Sequence, residues 1–297
     1  MRNENPFEIE GNWYKGNLHS HTTNSDGWLS PQQLCDAYRA AGYQFMAITD
    51  HGKVTDVAPL NQPDFLVLSG AEYGARGPEV GSYHIVAVDI PGPVASPQDA
   101  GVRGLVRAIA DAGGVSILAH PYWSGLGTGD MLAADECLAL EVFNSGCEVE
   151  VGRGMSDTHW DDVLSHGRRT FAVASDDAHH PTPGGYLSGW TMVKADSFTR
   201  ESVIQALRLG RFYSSTGPAL HDVRVAGDEI AVRCSPARTI ALLSNPEGRG
   251  NYKAAPPGQT LTEARFPLPK GTYLRVQVTD ALGQVAWSNP FFLGSPG

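Results

Sequence analysis

Six short apolar runs in the first 180 residues end in, or stand beside, a histidine or an acid. They are Leu18-His19-Ser20-His21 with Asp26 just beyond, Ile48-Thr49-Asp50-His51, Gly70-Ala71-Glu72, Tyr83-His84, Leu118-Ala119-His120-Pro121, and Ala174-Ser175-Asp176-Asp177-Ala178-His179-His180. Side chains alternate along a strand with period two, so His19 and His21 share a face. Seven of the ten histidines lie in these runs. Converging carboxylates repel, and buried polar groups need partners, so such strand ends can meet stably only around cations. The pattern therefore demands a fold that gathers several strand ends at one rim and a metal centre to satisfy them. His159, His166 and His221 stand alone and read as structural or solvated histidines.

Between the runs lie helical patterns. Ser30-Pro31-Gln32-Gln33 offers an N-cap, a proline at N1 and a glutamine at N3, and Ser96-Pro97-Gln98-Asp99 repeats the signal. Further helices are expected over Asp157–Ser165 and Arg200–Leu209. Strands are expected over Asn17–His21, Phe45–Asp50, Phe65–Glu72, His84–Asp89, Val115–His120, Ala139–Phe143, Thr170–Ser175 and Trp190–Lys194. Alternation of strand and helix predicts an α/β class with a mainly parallel sheet or barrel. In such barrels functional residues sit at the C-terminal ends of the strands. After Gly217-Pro218 only strand-like alternation and turns remain. The reading is a barrel over residues 1–217 and a small all-β, sandwich-like domain over 218–297, acting as a cap or oligomer contact. A hairpin is expected at Gly227-Asp228, and a loop over Asn245–Gly258.

Composition narrows the function. With 32 acidic and 22 basic residues the net charge is −10, which argues against a long nucleic acid or an anionic membrane as partner. No apolar run reaches the ~20 residues of a membrane span, and no signal-like apolar segment opens the chain. Cys35, Cys137, Cys147 and Cys234 form no Cys-x-x-Cys pair. The expectation is a cytoplasmic protein with reduced thiols.

The motif Leu18-His19-Ser20-His21-Thr22-Thr23, then Asp26-Gly27, then Thr49-Asp50-His51, closely resembles the opening of the polymerase-and-histidinol-phosphatase (PHP) family. Glu72, His84, Ala119-His120-Pro121 and Ser175-Asp176-Asp177-Ala178-His179 resemble its later motifs, in family order, over about residues 12–217. The resemblance implies a distorted (β/α)7 barrel holding up to three divalent metals. It implies nine ligands, which fall on His19, His21, Asp26, His51, Glu72, His84, His120, Asp177 and His179. One metal would take His19, His21, Glu72 and Asp177. Glu72 would bridge to a second, held also by His84 and His120. Asp26, His51 and His179 would hold the third, at a position where some members carry histidine in place of Asp26. Glu141-Val142-Phe143-Asn144, Trp160-Asp161, Gly210-Arg211-Phe212-Tyr213-Ser214-Ser215-Thr216-Gly217-Pro218 and Ala286-Trp287-Ser288-Asn289-Pro290 resemble a narrower, carbaryl-hydrolase-like branch. That branch implies ester, amide or carbamate cleavage on the same metals.

A cysteine-free set of imidazoles and carboxylates suits Zn, Mn or Fe. A hydroxide shared by two such ions is the expected nucleophile, and a phosphomonoester or phosphodiester the expected substrate. Candidates to brace the charge of the transition state are Arg153 and Lys53, with His180 as general acid to the leaving group. Asp50 and Asp176 are expected to orient neighbouring ligands. Tyr122, Trp123 and Trp160 read first as packing residues and otherwise as pocket lining. Three divalent ions against the three ligand carboxylates would leave the site at about +3, so an acidic chain can still hold a small anionic phosphoester. A non-catalytic PHP scaffold is the remaining reading, and a homo-oligomer is left open.

Overall fold

The computed structural model describes residues 4–76, 82–95, 101–245 and 250–293. Its core is a run of seven neighbouring strands in chain order: β1 (Asn12–Asn17), β2 (Phe45–Ile48), β3 (Leu66–Arg76), β4 (Ser82–Val88), β5 (Val115–Leu118), β6 (Ala139–Asn144) and β7 (Phe171–Ser175). The pairs β1/β2, β2/β3, β5/β6 and β6/β7 are parallel. β4 runs antiparallel to both of its neighbours. Only residues 77–81 separate β3 from β4, too few for the crossover that a parallel pair requires. His84 therefore reaches the rim from near the start of its strand, unlike the other rim residues. β3 also continues past Glu72 to Arg76, to pair with β4.

The ring closes at the rim. Asp177 N–H donates to the His19 carbonyl and His21 N–H to the Ala178 carbonyl, both at 3.0 Å, beside a parallel bridge between Ser20 and Ala178. Lower down, β8 (Trp190–Ala195) takes the outer edge of β1 in antiparallel register. The result is a seven-stranded, incompletely closed barrel. β1 ends earlier than expected because beyond Asn17 the backbone trades its ladder for single bonds to the neighbouring rim segments.

Helices α1 (Pro31–Ala40), α2 (Gly101–Asp111), α3 (Thr128–Ala133), α4 (Ser145–Val151), α5 (Asp157–Ser165) and α6 (Arg200–Arg208) accompany the strands. Ser30 caps α1 through the anticipated box with Gln33. The start signal at Ser96-Pro97-Gln98-Asp99 lies outside the described residues. α3 and α4 span six and seven residues, too short for periodicity to reveal. The barrel interior is apolar, with Leu18, Phe45, Leu68, Val86, Ile117, Phe171 and Val173 buried in one cluster.

Past residue 217 the described chain forms strands only: β10 (Leu220–Ala226), β11 (Glu229–Ala237), β12 (Thr239–Ser244), β13 (Asn251–Ala254), β14 (Leu261–Pro267), β15 (Tyr273–Thr279), β16 (Val285–Ser288) and β17 (Phe291–Phe292). β10 and β11 make the expected hairpin at Gly227-Asp228. β13 occupies part of the segment read as a loop. β10, β11 and β14 form one sheet. The other is continuous with the barrel, because β16 pairs with β9 (Phe212–Ser215), which pairs with β8. Arg275 on β15, fully buried, makes a bidentate pair with Asp161 on α5 at 2.6 Å and lies over the Trp160 ring. All four cysteines are free and buried. No helix among the described residues is long and apolar enough to cross a membrane.

Removing Asp161 leaves a buried guanidinium without its carboxylate. Asp161→Ala is expected to cost about 3–5 kcal/mol. Urea unfolding should show this as a lower midpoint at unchanged slope.

Candidate metal centre

The rim brings all nine proposed ligands to one cavity of about 430 Å³ or to its floor. Glu72, only 2% exposed, stands at the middle. Its Oε2 faces His19 Nε2 at 3.4 Å, His21 Nε2 at 3.3 Å and His51 Nδ1 at 3.0 Å. Its Oε1 faces His84 Nδ1 at 2.8 Å and His120 Nε2 at 3.3 Å. Asp177 Oδ1 lies 3.2 Å from His19 Nε2 and 3.1 Å from His21 Nε2, and the two imidazole nitrogens are 3.1 Å apart. Asp26 Oδ2 stands 3.5 Å from both His51 Nε2 and His179 Nε2.

These spacings fit metal ions. Ligand bonds of 2.0–2.1 Å in a regular tetrahedron give edges of about 3.3–3.4 Å. The His19–His21 edge and the edges from those two imidazoles to Glu72 and to Asp177 run from 3.1 to 3.4 Å, and His19, His21 and Glu72 form one group with all ligand atoms within 4.8 Å of one another. Buried Asp177 Oδ1 has no hydrogen-bond donor of its own. Glu72, His84 and His120 form a second group whose ligand atoms lie within 4.8 Å of one another, and His21, Asp26, His51 and His179 a third. His21 thus borders the third group as well as the first. Two of the proposed ligands carry left-handed backbone, His120 at φ 28° and Asp177 at φ 51°. Such conformations cost about 1–3 kcal/mol each and persist where surrounding structure enforces them. Gly27 follows Asp26 for a steric reason, since a Cβ there would meet the His21 carbonyl oxygen at 2.3 Å.

A carboxylate not anticipated as a site residue organises this floor. Glu141, fully buried on β6, accepts from His19 Nδ1 at 2.8 Å and Ser175 Oγ at 2.5 Å on one oxygen. The other accepts the His120 backbone N–H and Asn144 Nδ2, both at 2.8 Å. Asn144 Nδ2 also reaches Asp177 Oδ2 at 3.1 Å, while its Oδ1 caps α4. Glu141 therefore fixes the tautomer and aim of His19, in the manner of carboxylate–histidine–metal triads. A charge inside the apolar run Ala139–Phe143 was the available signal, since acids in buried strands need a reason to be there.

The other predicted residues divide. Asp50 accepts from Thr22, Ser25 and Thr55, and Ser25 Oγ lies 3.5 Å from His21 Nδ1, so Asp50 holds the loop behind a ligand. Asp176 touches no ligand side chain. It accepts from Tyr38, Ser145 and the backbone of Leu187, Ser188 and Gly189, so it anchors the scaffold and does not orient a ligand. His180 lines the cavity. Arg153 is exposed and lies over the Tyr122 ring, 5.5 Å from its centroid. Lys53 is exposed and donates to the Asn24 carbonyl. Neither cation lines the cavity, whose described lining holds no lysine or arginine. Trp160 is a packing residue, but Trp123 lines the cavity, because the turn after His120 folds it over the floor. His159, His166 and His221 stand outside the cavity lining.

The electrostatics are those of an anionic well. Burial pushes His19 down, yet the charges of Asp177, Glu141 and Glu72 outweigh it and hold the ring well above its ordinary range. Burial likewise opposes His21, and the adjacent carboxylates of Asp177 and Glu72 raise it to about 9. Burial pushes Glu72 and Asp177 up, but the adjacent imidazoles, His19 first, hold both below the usual carboxylate range. The well stabilises positive charge, whether protons or metal ions.

No protein-family model matches the chain. A stretch of 78 residues, 26% of the chain, is 37% identical to the DNA polymerase/3'-5' exonuclease PolX of Bacillus subtilis (strain 168) and spans 14% of that protein's length. The crystal structure of a two-domain protein of Bacteroides vulgatus, described as containing a predicted PHP-like metal-dependent phosphoesterase, superimposes with a TM-score of 0.54 at 14% identity, over 99% of each chain. This chain has a PHP-type fold. An amidohydrolase from Chromobacterium violaceum matches at a TM-score of 0.46 and 18% identity, over 57% of this chain and 89% of that one.

Two measurements probe the site. Glu141→Gln should lower metal affinity about 10- to 100-fold, read by competition with a chromogenic chelator, while the far-ultraviolet spectrum is kept. In the metal-free protein the raised His21 adds stability that is complete below about 6.5, the unfolded imidazole value, and is lost as pH rises through about 9. Glu72 and Asp177 are ionised throughout that window and contribute a constant amount. The Tm of metal-free protein should therefore fall from pH 6.5 to 9, and a flat or rising profile would contradict the assignment.

Proposed function

We propose that this chain is a metal-dependent hydrolase acting on small phosphoesters. The observation that carries the reading is the convergence of His19 and His21, at 3.1–3.4 Å, on one oxygen of Glu72 and on Asp177, with the second oxygen of Glu72 turned toward His84 and His120. In this proposal those six residues hold two divalent ions, and Asp26, His51 and His179 hold a third. Zn, Mn and Fe suit the donors, since imidazole and carboxylate are borderline-to-hard ligands. When bound, the ions supply Lewis-acid polarisation of a phosphoryl oxygen and a lowered pKa for a coordinated water.

The chain's own groups do the rest. Hydrolysis joins a water oxygen to phosphorus, breaks the bond to the leaving alcohol, and delivers a proton to the alcohol oxygen. This reading assigns that proton to His180, which lines the cavity wall. Trp123 and Cys147 line the cavity beside the floor. Lys53 and Arg153, directed elsewhere, leave the metals as the source of positive charge for the phosphate. A cavity of about 430 Å³ suits a small molecule, and the charge of −10 disfavours long nucleic acid.

Cleavage of an ester, amide or carbamate on the same centre is the second reading. The absence of lysine and arginine from the described cavity lining favours it. A hydrolysis screen with Mn- and Zn-loaded protein separates the two, using p-nitrophenyl phosphate, bis-p-nitrophenyl phosphate and a 1-naphthyl carbamate. Phosphate release is the expected result; cleavage of the carbamate alone would overturn it. His19→Ala and Asp177→Ala should each lose metal and reduce turnover by at least about 10³-fold. Full activity in metal-free protein would sink the mechanism.

A further inference from the structure

Above its metal-binding floor the cavity offers chemistry of a different kind. Trp123 forms one wall and is 41% exposed. Its ring is held steeply against His120, with centroids 4.9 Å apart and planes at 74°, and against His84 at 5.9 Å and 66°. On the His179 side, His180 lines the cavity and meets Trp28, itself 69% exposed, at 4.6 Å and 86°. Helix α4 contributes Gly146, Cys147 and the exposed carboxylate of Glu150. Apart from the nine proposed ligands, Glu150 is the one carboxylate among the described lining residues, and no lysine or arginine joins it.

Exposed indoles at a cavity mouth are costly to leave in water, and each offers a large flat face for another ring. An anion pressed against Trp123 and Glu150, away from the metals, would lose hydration without gaining a cation. We propose that the ligand of this cavity joins a single anionic head on the metals to a flat, uncharged organic group lying against Trp123, and that a second anionic group on that organic part is refused. The identity of the head rests on the phosphoesterase reading. The wall for the organic group rests on Trp123 and on the missing cations.

Non-hydrolysable phosphonates test this by calorimetric titration of the Mn-loaded protein. Benzylphosphonate should bind at least about tenfold tighter than methylphosphonate. A carboxylate added to the ring, as in 4-carboxybenzylphosphonate, should cancel that gain. Trp123→Leu should bring the benzyl-to-methyl ratio to within about twofold of one, and Trp123→Phe should keep most of it, a contrast that a purely structural role would not produce. Manganese content is measured alongside. If a variant sheds metal, the three wild-type affinities decide alone. The proposal is overturned if benzylphosphonate gains nothing over methylphosphonate, if the added carboxylate is tolerated, or if a metal-replete Trp123→Leu retains the ratio. Failure of methylphosphonate to bind, together with no phosphate release from any ester, overturns the phosphoesterase reading and with it the anionic head. An aromatic preference without phosphoester turnover would leave the wall standing and remove only the activity.

Discussion

One buried carboxylate organises the rim of this barrel. Glu72 places five imidazoles around two oxygens, those of His19, His21 and His51 on one and those of His84 and His120 on the other. A carboxylate so buried is tolerable only when positive charge surrounds it. The adjacent imidazoles, His19 first, hold its carboxyl well below the usual carboxylate range despite burial. The five histidines come from four segments, His19 and His21 from the end of β1 and the others from β2, β4 and β5, so the compensation of Glu72 on β3 ties five strands together at the rim.

Behind that carboxylate stands another. Glu141 spends both oxygens on His19, Ser175, Asn144 and the His120 backbone, so the positions of two proposed ligands depend on one side chain of β6. Asn144 links the same carboxylate to Asp177 and to the start of α4. The floor is therefore a hydrogen-bonded slab rather than a set of independent ligands. The apolar barrel packs below that slab, and the Arg275–Asp161 pair ties β15 to α5 outside the cavity.

The six strand-end motifs made the barrel and the histidines and acids that meet at its rim readable, because period-two alternation and clustered His and Asp residues leave few other uses for such side chains. Less visible were features that depend on where strands run. The antiparallel course of β4 follows from a link of five residues, and it brings His84, near the start of its strand as the sequence indicated, to the rim reached by the C-terminal ends of the parallel strands. The mixed sheet that joins β16 to β9 was hidden because strand pairing across distant segments leaves little local trace. Arg153 and Lys53 lay in rim loops by position, yet their side chains turn to Tyr122 and to the Asn24 carbonyl. Trp123 shows the reverse: it read as packing and instead forms the cavity wall.

The sequence by itself determined the chemistry gathered at the rim: a set of imidazoles and carboxylates supplied by several strand ends. Hydrophobic periodicity and ligand chemistry are local properties and can be read residue by residue. Only the tertiary structure decided the distances, the role of Glu141, the aim of the basic side chains and the aromatic wall. Those depend on strand direction, rotamer and the closing of the ring at Ser20 and Ala178, all of which are set by contacts between residues far apart in the chain.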